Sequence, residues 1–149
     1  MGQSTDGILF FGWILEEGAE LPWEEYCEEE WWQKTKGYKP PYELYNADGS
    51  DYLPGVTQDM VPKYYEDQRN WMKENPMPFE TVNYCSGEYP MWGIAIVESV
   101  NTAHRGYPVG INLNELKDLE ETFADKVKKI QDLLDLDTMP KWHLVSYWG

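Results

Sequence analysis

The chain has 149 residues with 42% hydrophobic content, enough for one domain around a single core and too apolar for a disordered chain. Its formal charge is −15 and its pI about 4.3, with sixteen acids against six bases in residues 1–75 and eleven against six in the rest. Only Arg69 and Arg105 are arginines, so neither nucleic-acid phosphates nor an anionic membrane surface is an expected partner.

Ile8–Leu15 is an unbroken apolar run after the turn signal Thr5-Asp6-Gly7, which predicts a buried central strand. No basic residue precedes the run and no small-residue cleavage site follows it. It therefore reads as neither a secretory signal nor, at its length, a membrane span, and the protein is expected in the cytoplasm. The next segment is the most unusual in the chain. Glu16, Glu17, Glu20, Glu24, Glu25, Glu28, Glu29 and Glu30 fall within fifteen residues that contain no lysine or arginine. Pro22 suits a first helical turn, and Trp23, Cys27 and Trp31 recur every four residues with glutamates on the opposite side. This predicts an amphipathic helix over about 22–35, with Lys34 and Lys36 at its C-terminal end and Gly37 as its cap.

Residues 37–58 read as a long loop, lined by Tyr38, Tyr42, Tyr45 and Tyr52. A second helix is expected over 61–74, with Tyr64, Gln68 and Trp71 or Met72 on one face. Phe79–Cys85 and Met91–Val97 predict strands flanking a hairpin loop, the second nearly all apolar and so internal. Gly12 and Gly93 interrupt the two most apolar strands, a pattern that lets a ring or a helix backbone lie close. Asn101–Gly110 reads as a loop. Asn112 or Asn114 then caps a third helix of about 20 residues, whose stripe is Leu116, Leu119, Phe123, Val127, Ile130 and Leu133 or Leu134. Trp142–Trp148 is a final strand. The order β-α-α-β-β-α-β is that of a single α+β domain over 1–149, with a roughly four-stranded mixed or antiparallel sheet covered by about three helices.

Little in the chain points to chemistry. Cys27, Cys85, His104 and His143 lie too far apart in sequence for a zinc spacing. Asn46–Asp51 hints at a calcium loop, but the positions of its first and last ligands are Leu44 and Gly55. No metal and no cofactor is expected. There is no nucleophile elbow and no phosphate-cradling glycine loop, so no catalytic residue is assigned. Paired carboxylates among many tryptophans resemble the arrangement of glycoside hydrolases, for which Glu80, Glu88 and Glu98 are the best-placed acids. His104-Arg105 in a loop suits a small anion. With 8 Trp and 11 Tyr, the aromatic loops and His104-Arg105 make a small-molecule or carbohydrate-binding module the alternative reading.

The acidic segment is the stronger signal. Solvated helix faces normally mix signs, as Lys117, Asp118, Glu121, Asp125, Lys126, Lys128 and Lys129 do on the third helix. The first helix does not, and each like-charged pair at helical spacing costs a few tenths of a kcal/mol. Carboxylates in rows imitate a run of phosphates. In size and charge, and in the opening Ser4-Thr5-Asp6-Gly7-Ile8-Leu9-Phe10-Phe11-Gly12 followed by glutamates, the chain resembles small acidic phage-encoded proteins, namely anti-restriction DNA mimics and acidic anti-CRISPR proteins. The acidic face itself predicts a non-enzymatic inhibitor or interaction protein that docks Glu16 to Glu30, with whichever of Trp31 and Trp32 is exposed as an apolar anchor, on a basic surface of a host nucleic-acid-binding or defence protein. The resemblance adds to this a host-takeover or counter-defence role. It implies no fold and no residue roles of its own.

Both cysteines are expected to be reduced, as in other cytoplasmic chains without a cysteine framework. Alkylation without reductant, read by mass spectrometry, should modify two thiols, and a mass two units low with no alkylation would show a disulfide instead.

Overall fold

A computed structural model describes residues 4–19, 21, 28–37, 44 and 51–149. The chain divides into two compact units, one of Met1–Glu20 with Pro78–Gly149 and one of Leu21–Met77. The class is α+β. The elements are β1 (Thr5–Ile14), α1 (Glu28–Thr35), α2 (Met60–Glu74), β2 (Phe79–Ser86), β3 (Pro90–Ile96), a 3-10 turn (Val97–Ser99), β4 (Asn101–Ala103), α3 (Leu113–Thr122), α4 (Ala124–Leu134) and β5 (Lys141–Trp148). No helix among the described residues is long and apolar enough to cross a membrane.

In the first unit, β1 is the central strand. β5 runs antiparallel along one edge, from Thr5 opposite Trp148 to Gly12 opposite Lys141. The other edge is shared, with β4 opposite Gly7–Leu9 and β3 opposite Gly12–Ile14. β3 also pairs antiparallel with β2, and β2 meets β5 in parallel over Cys85–Ser86 and Tyr147–Trp148. The sheet order β3-β2-β5-β1-β4, with the added β3–β1 pairing, therefore closes β1, β5, β2 and β3 into a ring. Near the last junction Cys85 adopts a left-handed φ of 74°. That conformation costs a residue with a side chain about 1–2 kcal/mol and turns the end of β2.

The ring closes because two glycines remove side chains where β1 meets β3. A Cβ on Gly12 would lie 1.9 Å from the Ile94 carbonyl oxygen, and one on Gly93 would lie 2.6 Å from the Phe10 ring. The close neighbours are thus a strand backbone and a ring, rather than a helix. Successive β1 residues face opposite sides. Phe10 packs with Val82 and Ala95 in a buried cluster joined by the partly buried Ile8, Val100 and Val145. Phe11 points the other way, to Phe123 and Trp142, with ring centroids 6.2 and 5.2 Å away.

Several boundaries differ from the sequence reading. Thr5-Asp6-Gly7 is strand rather than turn, because β5 pairs with all three residues and β4 with Gly7, so ladder bonds override local turn preference. The expected loop after the 3-10 turn begins with β4, too short to show a period. The third helix is two: α3 is capped by Asn112, whose side chain accepts from the amides of Asn114 and Glu115, and Phe123 separates α3 from α4 with φ −85° and ψ −2°. The apolar stripe runs across the break, with Phe123, Val127 and Ile130 buried.

In the second unit, α2 matches its expected span and keeps Tyr64, Gln68, Trp71 and Met72 half-buried. α1 occupies the end of the expected 22–35 helix, and its beginning, residues 22–27, lies outside the described residues. Gly37 caps α1 with φ 75° as expected. Of the 37–58 loop, Leu44 is buried and its carbonyl accepts from the Leu53 amide at 3.0 Å. Tyr38, Tyr42 and Tyr45 lie outside the described residues, and Tyr52 is exposed.

One buried hydroxyl bridges the gap between the two partial ladders on β1. Ser99, with no exposed surface, accepts from the Phe11 amide at 3.0 Å and donates to the Ile96 carbonyl at 2.6 Å. Ser99→Ala should cost about 1–3 kcal/mol in urea unfolding, since it leaves a buried amide unsatisfied. A loss below about 0.5 kcal/mol, the range of a neutral surface change, would show that Phe11 finds another acceptor.

Candidate functional site

Glu16 and Glu17 are exposed on the turn that leaves β1. Glu28, Glu29 and Glu30 fall within α1. Glu20, Glu24 and Glu25 lie outside the described residues. The two tryptophans of α1 separate cleanly. Trp32 is only 3% exposed; its indole N–H donates to the Asn75 carbonyl at 3.0 Å, and Lys36 sits over its ring. It is a core residue of its unit and cannot serve as the surface anchor. Trp31 is half-buried and is the one of the pair that a partner can reach. Next to Trp32, the buried Gln33 accepts from the Gln68 amide of α2 at 3.4 Å, which fixes the rotation of α1.

His104 and Arg105 follow β4 and are exposed. The His104 Nδ1 lies 3.2 Å from Asp6 at the start of β1, so this loop already holds a carboxylate where an anion was expected. His143 is elsewhere, inside the ring: its Nε2 donates to the Gly12 carbonyl at 3.1 Å and its imidazole packs 5.4 Å from Phe10. Cys85 is a free, exposed thiol on the hairpin. Among the described residues no three His, Cys, Asp or Glu side chains are grouped to hold a metal.

The three carboxylates suggested by the glycosidase pattern have separate roles. Glu98 is ion-paired with Lys126 of α4. Glu88 is exposed on the hairpin loop. Glu80 is half-buried in β2, and burial holds its carboxyl above the ordinary range. On the same strand the Asn83 Oδ1 is buried with no partner among the described residues.

One feature was not read from the sequence. A groove of about 900 Å³ opens between α3, α4 and the start of β5, with Phe11, Val127 and Trp142 in its floor. Glu120 accepts from the Trp142 indole N–H at 2.7 Å and fixes that ring. Glu121 and Asp132 line it along with Lys128 and Lys141, so its charge is mixed. The volume suits a small ligand. Its lining comes from Phe11 and from two stretches, 120–132 and 139–142, and nothing in the sequence of any one of them marks the others.

No protein-family model matches the chain, and no curated protein or solved structure is significantly similar to it.

Glu80 gives the site a measurable pH signature. Its pKa in the folded protein is raised above 4.5, so the folded state holds a proton that the unfolded chain releases sooner. The stability from that proton is full below the unfolded value and is lost as pH rises through the folded one. Glu80→Gln should remove the loss: the variant should exceed the parent in stability at neutral pH, with the gap shrinking as pH falls through the carboxylate range. Denaturant titrations across that range check it, and a gap independent of pH would contradict the assignment.

Proposed function

We propose that the protein is a non-enzymatic acidic inhibitor or interaction protein that docks its glutamate-rich segment, Glu16–Glu30, on a basic surface of a host nucleic-acid-binding or defence protein. The observation that carries this reading is eight glutamates with no lysine or arginine among them, in a chain of charge −15. Unrelieved like charge opposes folding, so a binding role explains its retention better than solubility, for which mixed signs suffice. The exposure of Glu16 and Glu17 supports the reading, as does the inward Trp32, which ties α1 down through its own ring. Carboxylates supply steering toward a cationic surface, and Trp31 adds apolar contact. On this reading the protein is a phage-encoded counter-defence factor of the DNA-mimic kind, acting in the cytoplasm of a bacterial host and binding no nucleic acid itself.

The test reverses charge within the segment. Changing Glu24, Glu25, Glu28 and Glu29 to Lys alters the charge by two at each site, from −15 to −7. With the fold verified by circular dichroism, capture of a basic nucleic-acid-binding protein from bacterial lysate should be lost. The parent's capture should weaken steeply with salt, as screening shortens the reach of surface charge to about 8 Å at 0.15 M. If the glutamates only solubilise, the variant aggregates sooner yet captures the same protein with unchanged affinity.

A further inference from the structure

Between Gly106 and α3 the chain runs without turn or bend through Tyr107-Pro108-Val109-Gly110-Ile111-Asn112. Every residue of this segment is exposed, and large apolar side chains stand at every second position into the first residue of α3. Tyr107 is 76% exposed, Val109 46%, Ile111 41% and Leu113 77%. Scattered apolar residues on a surface are ordinary, but four in strict alternation on an extended backbone are a strand pattern without a sheet.

The backbone agrees. From Pro108 to Ile111 no main-chain group hydrogen-bonds to another described residue. In an extended segment the N–H and C=O of one residue point to the same edge, and those of the next residue to the opposite edge. The edge of Pro108, Gly110 and Asn112 is poor: proline has no donor, and the Asn112 carbonyl is taken by the Leu116 amide. The edge of Val109 and Ile111 offers two complete donor–acceptor pairs. One edge is therefore equipped for a ladder, and the apolar face beside it fits alternate side chains of an added strand.

We propose that Tyr107–Leu113 is a docking edge to which an extended, net-basic segment of a partner protein adds as a β-strand. The strand geometry rests on the free edge at Val109 and Ile111. The basic character rests on the −15 charge of the chain and on the reading under Proposed function. The same charge disfavours a second copy as occupant, since two such chains repel.

The experiment uses the full chain, nitrogen-15 labelled, and four short peptides at low salt: alternating lysine and valine, the same peptide N-methylated at alternate amides, alternating lysine and glycine, and alternating glutamate and valine. The lysine–valine peptide should bind about tenfold more tightly than the lysine–glycine one and shift the amide signals of Val109 and Ile111. N-methylation should reduce its affinity to the lysine–glycine level, and so should the double variant Val109→Ser, Ile111→Ser, whose changes are at exposed positions. Equal binding of the lysine–valine and lysine–glycine peptides overturns the docking edge and leaves the acidic reading standing. A glutamate–valine peptide bound as tightly as the lysine–valine one overturns the basic partner. A dimer in light scattering that the double variant abolishes overturns it too, by making a second copy the occupant.

Discussion

The closure of the sheet depends on the approach of β1 to β3, and that approach depends on the absence of two side chains. With the Ile94 carbonyl oxygen 1.9 Å from where a Gly12 Cβ would sit, no other residue fits there without moving backbone. Gly93 has the complementary task of making room for Phe10, the residue at the centre of the buried cluster. Glycine in a strand interior ordinarily weakens it by roughly 0.5–1 kcal/mol. Here that cost is offset because β3 can then pair with β1 as well as β2, so its backbone groups are satisfied on both edges. Ser99 belongs to the same device. The 3-10 turn carries the chain from the β3 portion of the β1 edge to the β4 portion, and the amide left between them is met by a side chain where no strand can reach.

From this crossing the outer layer follows. Once Phe10 is committed to the ring interior, the period of two sends Phe11 outward, where it meets Phe123 and Trp142. Phe123 can reach it although it lies between two helices, because the break at Phe123 leaves the spacing of the apolar stripe intact. Glu120, just before that break, reaches the Trp142 indole. The groove is thus a consequence of packing two short helices, where one long one was expected, against the start of β5.

These relations explain what could be read from the sequence. Strands β1, β2, β3 and β5 and helix α2 are legible because each is long enough to display a hydrophobic period or an apolar run. The importance of Gly12 and Gly93 is legible as well, since glycine in an otherwise apolar strand has few other reasons to be there. β4 was not legible: three residues carry no period, and their strand state comes from β1. The start of β1 was misread because Thr5-Asp6-Gly7 has turn chemistry, which tertiary pairing overrides. At the candidate site the acids were legible as charge, but the inward turn of Trp32 was not. It is decided by Asn75 and Gln68, which lie more than thirty residues further along the chain.

The charge and the exposed apolar residues answer different physical needs, and together they constrain the mode of interaction. Large exposed side chains such as Tyr107, Leu113, Met139, Leu144 and Trp148 would invite self-association in a neutral protein. A charge of −15 on every copy opposes it, so on the proposed reading the glutamates that would attract a cationic partner also keep the apolar surface free for one. The two contributions act at different distances. Carboxylates act over about a Debye length, roughly 8 Å in physiological salt, and chiefly raise the rate of encounter. Apolar contact and backbone pairing act only after water is expelled, and chiefly determine how long the complex lasts. Acid alone would give fast, salt-sensitive and short-lived complexes, and apolar surface alone would give indiscriminate ones. On the proposed reading, a chain that carries both would find a basic target quickly and remain on it.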